Sequence, residues 1–378
     1  MQRVVRSLLL LAVAVSTVSA TQSYAQDNQS TGAGAVFVMT NAADRNAVIS
    51  FRRAADGSLR ESRRVSTGGR GTGGVTDPLE SQGSLTLSQD HSLLFAVNGG
   101  SGEISVFQVH GSQLTLVDKE TSGGGEPNAV AQHGSLVYIL NVGGSSNVVG
   151  FRLNAGGQLQ RIPNSIRFLT TNNSEAASLA FSPDGQFLLV TERSTNAIDA
   201  FRVQADGTLA PIVVNLSPDP GAFSVTFAPN GAALVSETGP AGGNDASAIS
   251  SYFVAPNGTL VPITTGVPTL GNANCWNAVT PDGRFVYTSN AGSSTISGFA
   301  ISATGVLTSL GGTVVGTNPS GSTNLDIAVS ADGKFLYTLN SGTGTIGIFR
   351  IQPDGTLNKI DEAEGLAQAS GFNGIAAN

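Results

Sequence analysis

Two glutamates stand where this chain otherwise repeats asparagine. Glu192 closes the stretch LLVTE and Glu237 closes ALVSE, while the comparable stretches end in Asn41, Asn98, Asn141, Asn290 and Asn340. Recurring asparagine is explained by structure, because its amide bonds nearby backbone and tolerates tight turns. A carboxylate in its place brings other chemistry: a general base for water, a cation ligand or a hydrogen-bond acceptor. The bland alternative is a salt bridge, for which Arg193 is adjacent. As catalytic candidates the sequence offers Glu192 and Glu237 as bases and Arg193 as the cation for an oxyanion.

A second series recurs four residues before the Ser-like position of each turn: Ser84, Asn128, Ser178, Ser224, Trp276, Asp326 and Asn373. Small polar residues with one tryptophan suggest a polar mouth with an aromatic platform, and a water-filled channel explains the polarity equally well. Trp276 and Asp326 depart furthest from the series and, with Asn128 and Ser224, are the ligand candidates. Arg70, in the glycine-rich segment VSTGGRGTGGVTDPLESQG, would suit an anionic group, and the loop TGPAGGNDASA with Asp245 would suit a lid. Neither segment is followed by the helix that a phosphate-binding loop needs, so surface linkage is the plainer reading. His91, His110 and His133 fall in turns away from this series, which argues against a histidine-based triad or metal centre there. Cys275 reads as a small core filler. No metal or cofactor is expected.

These residues are placed by a sevenfold repeat. Strands close on Phe51, Phe107, Phe151, Phe201, Phe253, Phe299 and Phe349, and a following strand opens on Leu59, Leu114, Leu159, Leu209, Leu260, Leu307 and Leu357. Within a unit, β-branched and aromatic runs such as KFLYTLN and TIGIFRI are separated by PDG or ADG turns, the pattern of short antiparallel strands. Four strands per period of about fifty residues predict an all-β fold, a seven-bladed β-propeller of four-stranded antiparallel blades. The first unit begins with a second-type strand at Gly34 and the chain finishes with GFNGIAAN, so the C-terminal segment is expected to supply the innermost strand of the first blade. In that arrangement the Asn/Glu position and the polar series share one face, called the top below.

The opening MQRVVR followed by LLLLAVAV and small residues up to Ala20 or Ala25 reads as a secretory signal peptide over 1–25, with a linker over 26–34 and the propeller over 35–378. The apolar run is too short for a span of about 20 residues. A periplasmic or extracellular, monomeric protein without a membrane span is expected. Loss of residues 1–25 would remove Arg3 and Arg6, leaving 17 basic residues against 26 acidic ones, a balance that disfavours nucleic acid as partner. One cysteine forms no internal disulfide, so a packed core must hold the chain together.

The motifs SPDGQFLLVTE, TPDGRFVYTSN and SADGKFLYTLN, with FRVQADGTL and FRIQPDGTL, resemble the lactonase family of seven-bladed propellers, which includes the propeller type of 6-phosphogluconolactonase and the fungal carboxymuconate cyclase. The resemblance implies a small-molecule lactone or acid as ligand and a carboxylic ester hydrolase. It also implies an Arg-His pair at the start of an innermost strand and a Glu at the end of the next. Glu192 and Glu237 match the Glu; Ala177 and Ser178, or Phe223 and Ser224, occupy the place of the pair. VYTSN and LYTLN are similar to the YVTN repeats of surface proteins, which implies the alternative of a non-catalytic propeller that binds a surface protein, a glycan or a small acid.

Overall fold

A computed structural model describes residues 34–378; the expected signal peptide and all but the last residue of the linker lie outside the described residues. Seven antiparallel sheets of four strands, one with a short fifth, form the predicted propeller. In the first blade the innermost strand is the C-terminal Ile375–Ala377, followed outward by Gly34–Met39, Ala47–Arg53 and Leu59–Ser66. The innermost strands of blades two to seven are Leu85–Leu87, Gly125–His133, Ala176–Phe181, Ala222–Phe227, Asn274–Val279 and Asn324–Val329. Each touches the next around the full circle, Ile375–Ala377 included. A closed ring leaves no innermost sheet edge to template aggregation.

Burial follows the distance from the axis. Second strands such as Phe335–Asn340 are buried at every residue because blades cover both of their faces, so they read as continuous rather than alternating apolar runs. The outermost strand of the first blade, LRESRRVS, is almost wholly exposed and correspondingly charged. The turn motif has a local cause. In SPDG, TPDG and SADG the hydroxyls of Ser182, Thr280 and Ser330 donate to the Asp two residues on at 2.6 Å and accept the N–H of the residue five on. The glycine then takes the left-handed backbone, with φ of 68° at Gly185 and Gly333.

Two landmarks shift. In the fifth blade Tyr252, not Phe253, faces inward opposite Ala233, and Phe253 is 55 % exposed. Alternation along a strand sends neighbours to opposite faces, so Tyr252 takes the core position. In the fourth blade Leu209 makes only one bridge, to Val203, and the outer strand is Val213–Leu216. Pro211, lacking an N–H, separates the two.

Consecutive blades are also tied by tyrosine. The hydroxyls of Tyr138, Tyr287 and Tyr337, all on second strands, donate to the carbonyls of Gly207, Gly355 and Gly57 in the turn of the next blade, at 2.7, 2.8 and 3.1 Å. The last of these spans the junction between the seventh and first blades. Tyr337→Phe keeps the packed ring and leaves the buried Gly57 carbonyl without its donor, so we expect a loss of about 1 kcal/mol. Urea unfolding checks this, an unchanged midpoint counting against the bond.

Candidate functional site

Every residue of the Asn/Glu series is 0 % exposed, so the two glutamates do not stand at an open mouth as expected. The position lies between blades and stitches them. Asn98 accepts the hydroxyl of Thr67, from the segment leaving the previous blade, at 2.6 Å and donates to Ser105 at 2.8 Å; Asn290 likewise donates to Ser297 at 2.8 Å. Glu237 does the same work with Ser217 at 2.6 Å and Ser250 at 2.9 Å. Glu192 accepts the Thr170 N–H at 2.9 Å and the hydroxyls of Thr170 and Thr195.

The partner explains the change of residue in the fourth blade. Asp199 stands seven residues after Glu192, where Ser105 and Ser297 stand seven after Asn98 and Asn290. It is 0 % exposed and neither of its oxygens meets an amide or hydroxyl donor. Burial first, then the neighbouring Glu192, pushes its pKa up to about 9, so Asp199 keeps its proton and shares it with Glu192. Glu237 is raised to about 7 by burial, against the pull of Ser217 and Ser250. Arg193, the expected partner of Glu192, is instead bonded elsewhere.

The polar series is covered as well. The glycine-rich segment after the first blade is not a surface linker: residues 77–83 descend onto the axis as a plug. The Gln82 side chain pairs with the Asn277 backbone, donating to its carbonyl at 2.7 Å and accepting its N–H at 3.1 Å. The Gln82 N–H reaches the Ala177 carbonyl at 2.9 Å, the Ser81 hydroxyl reaches the Asn128 carbonyl at 2.8 Å, and Asn373 donates to Asp77 at 2.9 Å. Trp276 therefore offers no platform. It is 0 % exposed, its indole donates to the Ser81 carbonyl at 2.9 Å, and its ring meets Phe223 edge-on. Asn128 donates to Ala176, Ser224 accepts from Asn277, and Asp326 accepts the N–H groups of Ile327 and Ile375. Arg70 is exposed beside Ser101 and Glu103, away from this centre. His91 and His133 lie at the opposite face, as expected, and His133 meets Gln89 there.

What remains open on the top face is a cleft of about 730 Å³ between the fourth, fifth and sixth blades. It is lined by Arg193 and Glu175, by Gly221 and Ala273, and by Gly239–Asn244. The loop expected as a lid lines a side of the cleft, and the Asp245 N–H is bonded to Asn272 at 2.6 Å. Arg193 is gripped by Glu175 at 2.8 Å and by Glu80, from the plug, at 2.6 Å. Glu175 holds a left-handed backbone, φ 49°, at the entry to its innermost strand. Ala273 and Thr323 repeat that conformation, so it belongs to the propeller's repeat and places Glu175 at the lip. A second cleft of about 470 Å³ on the other side of the plug is lined by Glu80, Glu126 and Glu175. Cys275 is buried and its thiol is held well up by that burial, which fits a filler.

A carboxylate touching a guanidinium in a cleft on the face of a seven-bladed ring is an arrangement suited to a small polar ligand. The sequence matches the model of the lactonase seven-bladed β-propeller family over residues 36–169 and 145–236, and the chain belongs to that family. The fold is shared with the periplasmic gluconolactonase PpgL of Pseudomonas aeruginosa, at a TM-score of 0.66 and 18 % identity over 91 % of this chain and 99 % of that one. Candidate 6-phosphogluconolactonases are similar too. That of Bacteroides uniformis has a TM-score of 0.65 at 19 % identity over 91 % and 99 % of the two chains, and that of Bacteroides fragilis 0.67 at 17 % over 93 % and 99 %. No curated protein matches significantly in sequence.

The Asp199 proton gives the fold a pH dependence with a definite sign. The folded chain holds a proton that the unfolded chain releases above about pH 4, so stability falls as pH rises toward about 9. Glu237, Asp77 and Asp326, each raised to about 7 chiefly by burial, act in the same direction but finish earlier. Asp199→Ser recreates the Glu237–Ser250 pairing. We expect it to abolish the decline between pH 7.5 and 9 that the parent shows in denaturant midpoints; parallel profiles would contradict the shared proton.

Proposed function

We propose that this chain is an exported lactone hydrolase whose reaction takes place in the top-face cleft. The observation that carries the reading is the Glu175–Arg193 pair at the cleft wall, in a propeller of the lactonase family. Glu175 takes a proton from water as it attacks the ring carbonyl, and Arg193 stabilises the oxyanion. The intermediate then breaks the ring C–O bond, the leaving oxygen takes the proton back from Glu175, and the carboxylic acid formed releases its own proton to leave a carboxylate beside Arg193. Glu192 and Glu237 have no path to a ligand, since a base must come within about 3 Å of the proton it takes, or reach it through one water.

The charge at the mouth supports an uncharged substrate. The reaction cleft is lined by Glu175 and Arg193, and the second cleft beside it by Glu80, Glu126 and Glu175, so acids outnumber the one cation around the plug and Arg193 is already neutralised before a phosphorylated lactone could use it. An unphosphorylated sugar or organic-acid lactone fits better. One observation favours the second reading, a non-catalytic propeller that binds a protein, glycan or small acid on this face: both carboxylates bonded to Arg193 already satisfy it in the free protein.

Proton release at fixed pH over paired unphosphorylated and phosphorylated lactones tests the reading. Glu175→Gln is expected to lower kcat by about 10²–10⁴-fold. Arg193→Gln should lower kcat/KM, while Glu192→Gln should leave kcat within a few-fold and change only stability. Turnover insensitive to Glu175→Gln and Arg193→Gln would remove this mechanism. No turnover on any lactone, with binding of the corresponding acid, would establish the second reading.

A further inference from the structure

Beneath the foot of the plug the polar accounting does not close. Asp77 descends from the plug and takes the Asn373 amide at 2.9 Å. Asp326, from the innermost strand of the seventh blade, takes the N–H of Ile375, two residues further along the same segment, at 3.0 Å. Asn373 and Ser84 are both 0 % exposed, and the Asn373 Oδ1 and Ser84 Oγ have no partner. That Oδ1 belongs to the amide resting on Asp77. The Ser84 Oγ lies against Gly374, where an added Cβ would stand 2.7 Å from it. Two carboxylates and two unpartnered neutral oxygens are thus gathered on Asn373–Ile375.

The surrounding charges do not offset this. Glu80 adds to the negative field at Asp77, and Arg193, the nearby cation, is held by Glu80 and Glu175. The Cys275 thiol is neutral. Asp326 is buried and Asp77 partly so; carboxylates without a counter-charge and oxygens without donors are costly in such a place, and a cation answers both at once.

We propose that this nook is a binding site for a hard divalent cation, calcium in the first place, held between Asp77 and Asp326. Among the described residues no group of three or more His, Cys, Asp or Glu side chains converges on a metal position. The donor set here is of a different kind, two carboxylates completed by the Asn373 and Ser84 oxygens and water. All-oxygen donors from separate segments suit calcium, which accepts irregular coordination, over magnesium, which demands a near-ideal octahedron. Occupancy would pin the plug to the seventh, first and second blades.

The test is independent of hydrolysis. Isothermal titration of the full chain with calcium chloride should show one site with Kd on the order of 10⁻⁴–10⁻³ M, and magnesium should bind at least about tenfold more weakly. Calcium should raise the melting temperature and chelator should reverse the rise. Asp77→Asn, a change in the plug rather than in a strand, should weaken calcium binding at least about tenfold, and Ser84→Ala by less, with both variants folded without calcium. No heat and no melting shift up to about 10 mM calcium would overturn the proposal and leave the oxygens to water. Equal affinity in the parent and Asp77→Asn would overturn it as well.

Discussion

Ring closure rests on three paired residues: Val36 with Ala377, Phe37 with Ala376 and Val38 with Ile375. They join the two ends of the described chain in one sheet, and the geometry of the top face depends on them. With the circle closed, the innermost strands are fixed relative to one another, and the segment over them has a rigid socket to enter. Gln82 can then bond the sixth blade while its own N–H bonds the fourth, and Asp77 can meet Asn373 of the first. An open array would offer no such simultaneous partners. The plug is therefore a consequence of closure.

Closure also decides what the polar series does. Residues at the tops of blades face one another across narrow gaps, where an unpartnered polar atom costs about 1–3 kcal/mol. Asparagine with serine meets that demand in the second and sixth blades, and asparagine with other side chains in the first, third and seventh; in the fourth blade Glu192 with protonated Asp199 meets it by another route, and Glu237 with two serines is intermediate. Catalysis needs a carboxylate that water and ligand can reach, which sealed pairs do not provide. Glu175, at the lip and half-exposed, meets that requirement because the innermost strand begins with a left-handed residue that lifts it out of the ring.

Arg193 connects these layers. It follows directly after the buried Glu192, yet it leaves the blade and binds Glu175 and the plug's Glu80. The second strand is covered on both faces and so buries Glu192, and the end of the strand releases Arg193 to the surface. Plug, lip and cleft wall thus share one guanidinium, and any ligand acid that engages Arg193 competes with the plug for it.

The blade count, the four-stranded units and the return of the C-terminal segment to the first blade were determined by the sequence alone, because each is set by local turn chemistry and by apolar runs recurring at a fixed period. The Glu192–Asp199 pairing emerged only from the structure, although the second and sixth blades carry Asn and Ser at the same spacing and so mark it afterwards as a double departure. Which polar residues remain open to solvent was decided only by the tertiary structure. Trp276, Asp326, Asn128 and Ser224 look like a mouth when the repeat is aligned, and they are covered because a segment outside the repeat folds over them. Glu175 and Glu80 carry no signal in the repeat; they matter because closure brings the lip of one blade and the plug from another onto the same arginine. Local pattern records what each strand buries against its neighbours, whereas a contact between segments about a hundred residues apart depends on the rotation of every blade between them.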